Sequence, residues 1–194
     1  MRHLIIFVKN PVLGKVKTRL AATVGDERAL EVYHKLLAIT RKVALGVACK
    51  RQLYYSDVVD TDDHWGNDQF AKHTQQGSDL GERMLHAFTL SFANGAERAI
   101  VVGSDCPELT SSLINAAFNA LDGHDAVIGP ADDGGYYLLG MKRPVPDFFE
   151  RKQWSTATVL ADTLADAQRL GLKVQLMPML SDLDNEVDLI RSGL

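Results

Sequence analysis

Cysteine is scarce in this chain: Cys49 and Cys106 are its two cysteines, too few for a disulfide framework and without zinc-site spacing. Long apolar runs are missing too. No stretch approaches the roughly 18 to 20 residues needed to span a bilayer, and the amino terminus has a strand pattern instead of a basic start followed by a long apolar segment. A cytoplasmic protein without a membrane span is therefore expected. Nor is there an excess of positive charge. The net charge of -4 argues against general affinity for nucleic acid or anionic membrane. Neither G-x-G-x-x-G nor G-x-x-x-x-G-K-[ST] occurs, which removes support for a classical dinucleotide fold and for a P-loop. Internal repeats and low-complexity linkers are absent as well.

The remaining composition, 46% hydrophobic and 24% charged in 194 residues, is that of an ordinary globular protein. It suits a single α/β domain over residues 1–194. Short apolar runs bounded by turn signals alternate with helical periodicity. His3 to Lys9 reads as a first strand closed by Asn10-Pro11. A helix opens at Gly25-Asp26-Glu27 and ends near Gly46, and Gln52 to Ser56 and Phe70 to Gln75 are further strands. In Q-G-S-D-L-G-E-R-M, Gln76 to Met84, Gly77 allows a tight turn and Ser78 or Asp79 caps the helix that follows. Later strands lie at Asp125 to Gly129, Tyr136 to Leu139 and Lys173 to Met177, with a helix capped by Thr110, Ser111 or Ser112 and a last one capped by Asp184 or Asn185. The expectation is a three-layer α/β/α sandwich around a mostly parallel sheet.

Arg98 to Pro107, R-A-I-V-V-G-S-D-C-P, organises the chain. A run rich in β-branched residues there ends in glycine, Ser104 and the carboxylate Asp105. Ligands of such sheets bind outside the carboxyl ends of the strands, so Asp105 is either a helix cap or a ligand for something. Pro11 to Leu20 places Lys15, Lys17 and Arg19, with Lys9 beside them, in one glycine-containing loop after the first strand, a setting for phosphate or a plain solvated loop. Arg83 is placed to face a ligand at its helix's amino end or to pair with a neighbouring acid. In P-A-D-D-G-G-Y-Y-L-L-G, Pro130 to Gly140, a hairpin turn accounts for Gly134 and Gly135, which also let backbone and carboxylate approach a polar ligand closely. Asp60, Asp62, Asp63 and His64 lack metal-motif spacing and read as a solvated loop.

Together the basic loop, Q-G-S-D-L-G-E-R-M, V-G-S-D-C-P and P-A-D-D-G-G-Y-Y-L-L-G, supported by W-S-T and D-L-D-N-E-V-D-L, resemble the bacterial glycosyltransferase-A-like family of nucleotide-diphospho-sugar transferases. That resemblance implies the Rossmann-like fold of the family, a transferase, and a substrate that is a nucleotide sugar or nucleoside triphosphate together with a small-molecule acceptor. It implies Mg²⁺ or Mn²⁺ as cofactor, with Asp105 as its carboxylate and Asp184 as the match for a later aspartate of the family. Lys9, Lys15, Lys17, Arg19, Gly77, Arg83, Ser104, Gly134 and Gly135 become the candidate nucleotide and phosphate contacts, and Asp132 or Asp133 the candidate base for an acceptor hydroxyl. The family often carries D-x-D at the central strand where S-D-C stands here. The loop's K-x-x-x-x-x-K-x-K-T-R-L character is similar to 2-phospholactate guanylyltransferases, which makes nucleotidyl transfer the alternative. A non-catalytic nucleotide-binding module is the third.

Overall fold

A computed structural model describes all 194 residues. Seven strands form one sheet in the order β3-β2-β1-β4-β6-β5-β7. They are β1 Arg2–Val8, β2 Lys50–Tyr55, β3 Ala71–Thr74, β4 Arg98–Val102, β5 Ala126–Pro130, β6 Tyr136–Met141 and β7 Val174–Leu176. Only β6 runs antiparallel to its neighbours β4 and β5, through the hairpin that its D-D-G-G turn foreshadows. The helices are α1 Thr18–Val24, α2 Asp26–Leu45, α3 Leu80–Ala93, α4 Ser111–Ala120, α5 Val159–Arg169 and α6 Glu186–Ser192. This is the expected mostly parallel three-layer sandwich.

Period-two alternation sorts each central strand onto two buried faces. Leu4, Ile6 and Val8 of β1 join Ile100 and Val102 of β4 in a core of 28 residues completed by α2 and α4. Ile5 and Phe7 join Ala99 and Val101 in a second core of 16 residues completed by Met84, Ala87 and Phe88 of α3 and by Phe148. With apolar layers on both sides, these strands have no tolerance for a charge until they end. Lys9 and Asp105 are the first charged residues beyond β1 and β4, and they lie at the same edge of the sheet.

Beyond β1 the chain goes first to β2 on one side and then to β4 on the other. The reversal opens a crevice between the ends of β1 and β4, where sheets of this kind bind ligands. The basic segment is not irregular throughout, as its sequence suggests. Lys17 takes a left-handed conformation (φ 48°, ψ 43°) and T-R-L-A-A-T-V then winds into α1, separated from α2 by Gly25 at φ 84°. Buried Leu20 anchors this short helix to the core.

Candidate functional site

A cleft of about 770 Å³ sits over the crevice. Its walls carry four cations, Lys9, Lys17, Arg19 and Arg83, and four carboxylates, Asp105, Asp133, Asp182 and Asp184. Phe7, Met84, Tyr136, Trp154 and Val159 give it an apolar side.

Tyr33 of α2 ties the two strand ends together. Its buried hydroxyl accepts a hydrogen bond from the Lys9 N–H at 2.8 Å, donates to the Lys9 carbonyl at 3.0 Å, and lies 3.4 Å from Ser104 Oγ. Burial, reinforced by the charge of Asp105, pushes this phenol up to about 12, so it stays a neutral strut. On the outer side, Asn10 Oδ1 accepts from the Asp57 N–H at 3.0 Å and Gln75 Nε2 donates to the Val8 carbonyl at 3.2 Å, holding the ends of β1, β2 and β3 together.

The acids and Lys17 meet at the centre. Lys17 Nζ lies 2.5 Å from Asp105 Oδ1, 3.6 Å from Asp184 Oδ1 and 2.7 Å from the Leu183 carbonyl, and its side chain is 5% exposed. Arg19 reaches Asp184 at 3.5 Å from the solvent side. Asp182 completes the cluster. Burial first, and then the charges of Asp105, Asp133 and Asp184, raise its carboxyl to about 7, with only Lys17 pulling the other way. In D-L-D, Leu183 is buried in the core while Asp182 and Asp184 share the opposite side, as alternate residues of an extended segment do. That alternation is a sequence signal for Asp182 that the choice of Asp184 alone overlooks.

Of the residues singled out from the sequence, Lys9, Lys17, Arg19, Arg83, Ser104, Asp105, Asp133, Gly135 and Asp184 line the cleft. Lys15, Gly77, Asp132 and Gly134 do not. Asp132 turns outward, where it accepts from Ser181 Oγ at 2.6 Å and faces Arg191 at 3.9 Å. Gly134, at φ 88°, is needed for packing: any Cβ there would overlap the Ala157 carbonyl. Asp133 accepts from the Gly135 N–H at 2.8 Å, which fixes the turn while leaving the carboxylate exposed to the cleft. Gly77 packs against the start of α3, and its carbonyl accepts from Arg83 Nε at 3.1 Å. The cap of α3 is Asp79, whose side chain accepts from the Glu82 N–H.

Two other groups are structural. Burial pushes the Cys106 thiol up to about 12, with Asp182 adding to the effect, which leaves no thiolate for nucleophilic work. Asp63 accepts from Tyr55 and from Lys72 Nζ, and Asp60 caps a turn through the Asp62 N–H, so these acids hold their own loop together.

For a divalent cation the donor chemistry fits. Carboxylates of Asp105 and Asp184 and the Leu183 carbonyl are hard oxygen donors, already gathered around a positive charge that Lys17 supplies. No three His, Cys, Asp or Glu side chains converge on one point by themselves. Phosphate oxygens and water would have to complete the shell, as is usual for Mg²⁺.

A family model covers residues 39–156, from within α2 to the segment beyond β6. The chain belongs to the family described as "uncharacterized protein conserved in bacteria (DUF2064)". The sequence matches no curated protein. Among solved structures it is similar to a "putative nucleotide-diphospho-sugar transferase" from Desulfovibrio desulfuricans G20, with 36% identity and a TM-score of 0.90, over 97% of this chain and 84% of that one. An inositol-1-phosphate CTP transferase from T. maritima shares the fold at 17% identity and TM-score 0.62, over 97% and 91% of the two chains. So does a manganese complex of Rv0371C from Mycobacterium tuberculosis H37Rv, at 12% identity and TM-score 0.56, over 98% and 96%. No helix is long and apolar enough to cross a membrane.

Proposed function

We propose that the protein is a nucleotide-dependent transferase of the nucleotide-diphospho-sugar transferase type, which binds an activated nucleotide over the ends of β1 and β4. The observation that carries this reading is the meeting of Lys17 with Asp105 and Asp184 in one cleft at the point where the strand order reverses. The 36% identity to the Desulfovibrio protein over 97% of the chain supports the same direction.

In this reading the diphosphate lies between the cationic wall, Lys9, Lys17 and Arg19, and the acids of the centre. Transfer at phosphate-linked groups gains mainly from positioning and from neutralising charge on the departing group. Lys17 and Arg19 meet that demand on the protein side, while Tyr33 and Ser104 hold the loop and the β4 end in register. Asp105 with Asp184 or Asp182 would hold a Mg²⁺ or Mn²⁺ ion, which when bound supplies charge neutralisation at the phosphate oxygens. Asp133 is the base left for an acceptor hydroxyl, because Asp132 is engaged outside the cleft.

Nucleotidyl transfer is the second reading, favoured by the clustered cations of Lys9 to Arg19, which suit a triphosphate as well as a diphosphate. Thermal-shift screening of nucleoside triphosphates and nucleotide sugars with Mg²⁺ or Mn²⁺ tests both. A ligand that binds only the folded state raises the melting temperature by mass action. Stabilisation by a nucleotide sugar, with nucleoside diphosphate released on turnover, supports the first reading. Stabilisation by a triphosphate with pyrophosphate released supports the second, and no shift with any of them removes both.

A further inference from the structure

Two of the central acids, Asp105 and Asp184, are already paired with a residue of the chain itself, and the manner in which Lys17 is held there goes beyond an ordinary ion pair. Lys17 is one of three non-glycine residues at positive φ, a backbone conformation that is unfavourable for a residue bearing Cβ. As the residue before α1 its side chain makes no capping hydrogen bond. The strained geometry instead sends the four-carbon stem inward, and its ammonium meets oxygens contributed from more than 80 residues away in sequence, those of Asp105, Leu183 and Asp184. Ammonium and divalent ions compete for such a cradle, since both demand oxygen donors and both are drawn by the same carboxylate charge.

We propose that Lys17 is a tethered counter-cation that closes this cradle until a phosphate group draws it away, so that divalent metal and nucleotide bind in mutual dependence. The inference rests on the reading of the cleft as a nucleotide site. The remaining cations of the cleft wall, Lys9, Arg19 and Arg83, favour the approach of an anion to Lys17. A lysine is suited to the exchange because its compact charge rides on a flexible stem and swings without movement of the backbone. Once Lys17 pairs with phosphate, Asp105 and Asp184 are released to a metal ion, and by linkage each ligand raises the affinity of the other by the same factor.

The test is Mn²⁺ alone, titrated without nucleotide into wild-type protein, Lys17→Met and Lys15→Met, with free Mn²⁺ followed by electron paramagnetic resonance. Lys15→Met removes the same charge from the same loop at a residue outside the cleft. Lys17→Met is expected to bind Mn²⁺ tighter than wild type on the order of tenfold, within the roughly 5- to 150-fold span common for coupled sites, while Lys15→Met stays close to wild type. Equal affinities in wild type and Lys17→Met, or the same gain in both variants, overturn the proposal. Because Lys17→Met also removes the ion pairs of a buried ammonium, the wild-type protein provides a second readout. Inorganic pyrophosphate without metal should shift the Lys17 ammonium resonance in ¹⁵N-detected spectra, and an unmoved resonance in protein that binds pyrophosphate rejects the exchange. Failure of every form to bind Mn²⁺ or pyrophosphate counts against the nucleotide-site reading itself, and the counter-cation falls with it. Normal pyrophosphate binding without the Lys17→Met gain counts against the counter-cation alone.

Discussion

Replacing Asp182 by Asn should make the metal-free protein more stable at pH 8 and leave its stability nearly unchanged at pH 4. The carboxyl sits among Asp105, Asp133 and Asp184, and burial is the largest of the influences that raise it from 3.8 to about 7. A raised carboxyl favours the folded state only while protonated, so its contribution is complete below about pH 3.8 and is lost as pH climbs to about 7. Above that the folded protein carries a crowded charge that the unfolded chain would place in water. At 1.36 kcal/mol per pH unit the full difference is about 4 kcal/mol. The open side of the cleft screens part of it, leaving about 1 to 2 kcal/mol. For a chain of this size that corresponds to a gain of roughly 2 to 8 °C in melting temperature. Melts of both proteins from pH 4 to pH 9, in buffer with a chelator, provide the measurement. A variant no more stable than wild type at pH 8, or a gain that does not depend on pH, would refute the placement of Asp182 among like charges. The cost of that carboxylate to stability is what a functional site is expected to carry.

Tyr33→Phe deletes the hydroxyl that bridges Lys9 and Ser104, leaving the half-buried Lys9 backbone groups and the buried Ser104 hydroxyl without it, and should cost about 1 to 3 kcal/mol in denaturant unfolding. Gly134→Ala adds a side chain at φ 88° against the Ala157 carbonyl and should cost about 2 kcal/mol or more by the same measurement, whereas a loss no larger than the roughly 1 kcal/mol of the positive φ alone would count against the Ala157 contact. Asp133→Asn should slow transfer by roughly 10²- to 10⁴-fold at unchanged nucleotide affinity, whereas Asp132→Asn should leave the rate within a few-fold of wild type. The reverse order would return the base to Asp132.

The fold was legible because its causes are local. Alternating apolar positions in β1 and β4, the D-D-G-G turn between β5 and β6, and the caps at Asp79 and Thr110 all act within a few residues. Asp105 was legible for the same reason, as a charge stranded at the end of an apolar run. What escaped involves distance along the chain. Lys17 bonds to a carbonyl 166 residues away, so its singular place among the cations of its loop has no local mark. Tyr33 shows only helical periodicity in sequence, and its hydroxyl gains a purpose only when β1 and β4 lie side by side. Asp182 was within reach, since alternate residues of D-L-D share a face, but the burial that raises its carboxyl comes from elements far off in sequence. Gly134 suggested close approach of a ligand; close approach of the Ala157 backbone is the reason for it.

The use of the cleft as a nucleotide site is tested most directly by calorimetric titration of wild type and Asp105→Asn with Mn²⁺ and the nucleotide selected by thermal shift. Wild type should bind at least about tenfold tighter than the variant, a difference of about 1.4 kcal/mol, with both proteins showing the same circular dichroism spectrum. Equal affinities in two folded proteins would contradict a site centred on Asp105.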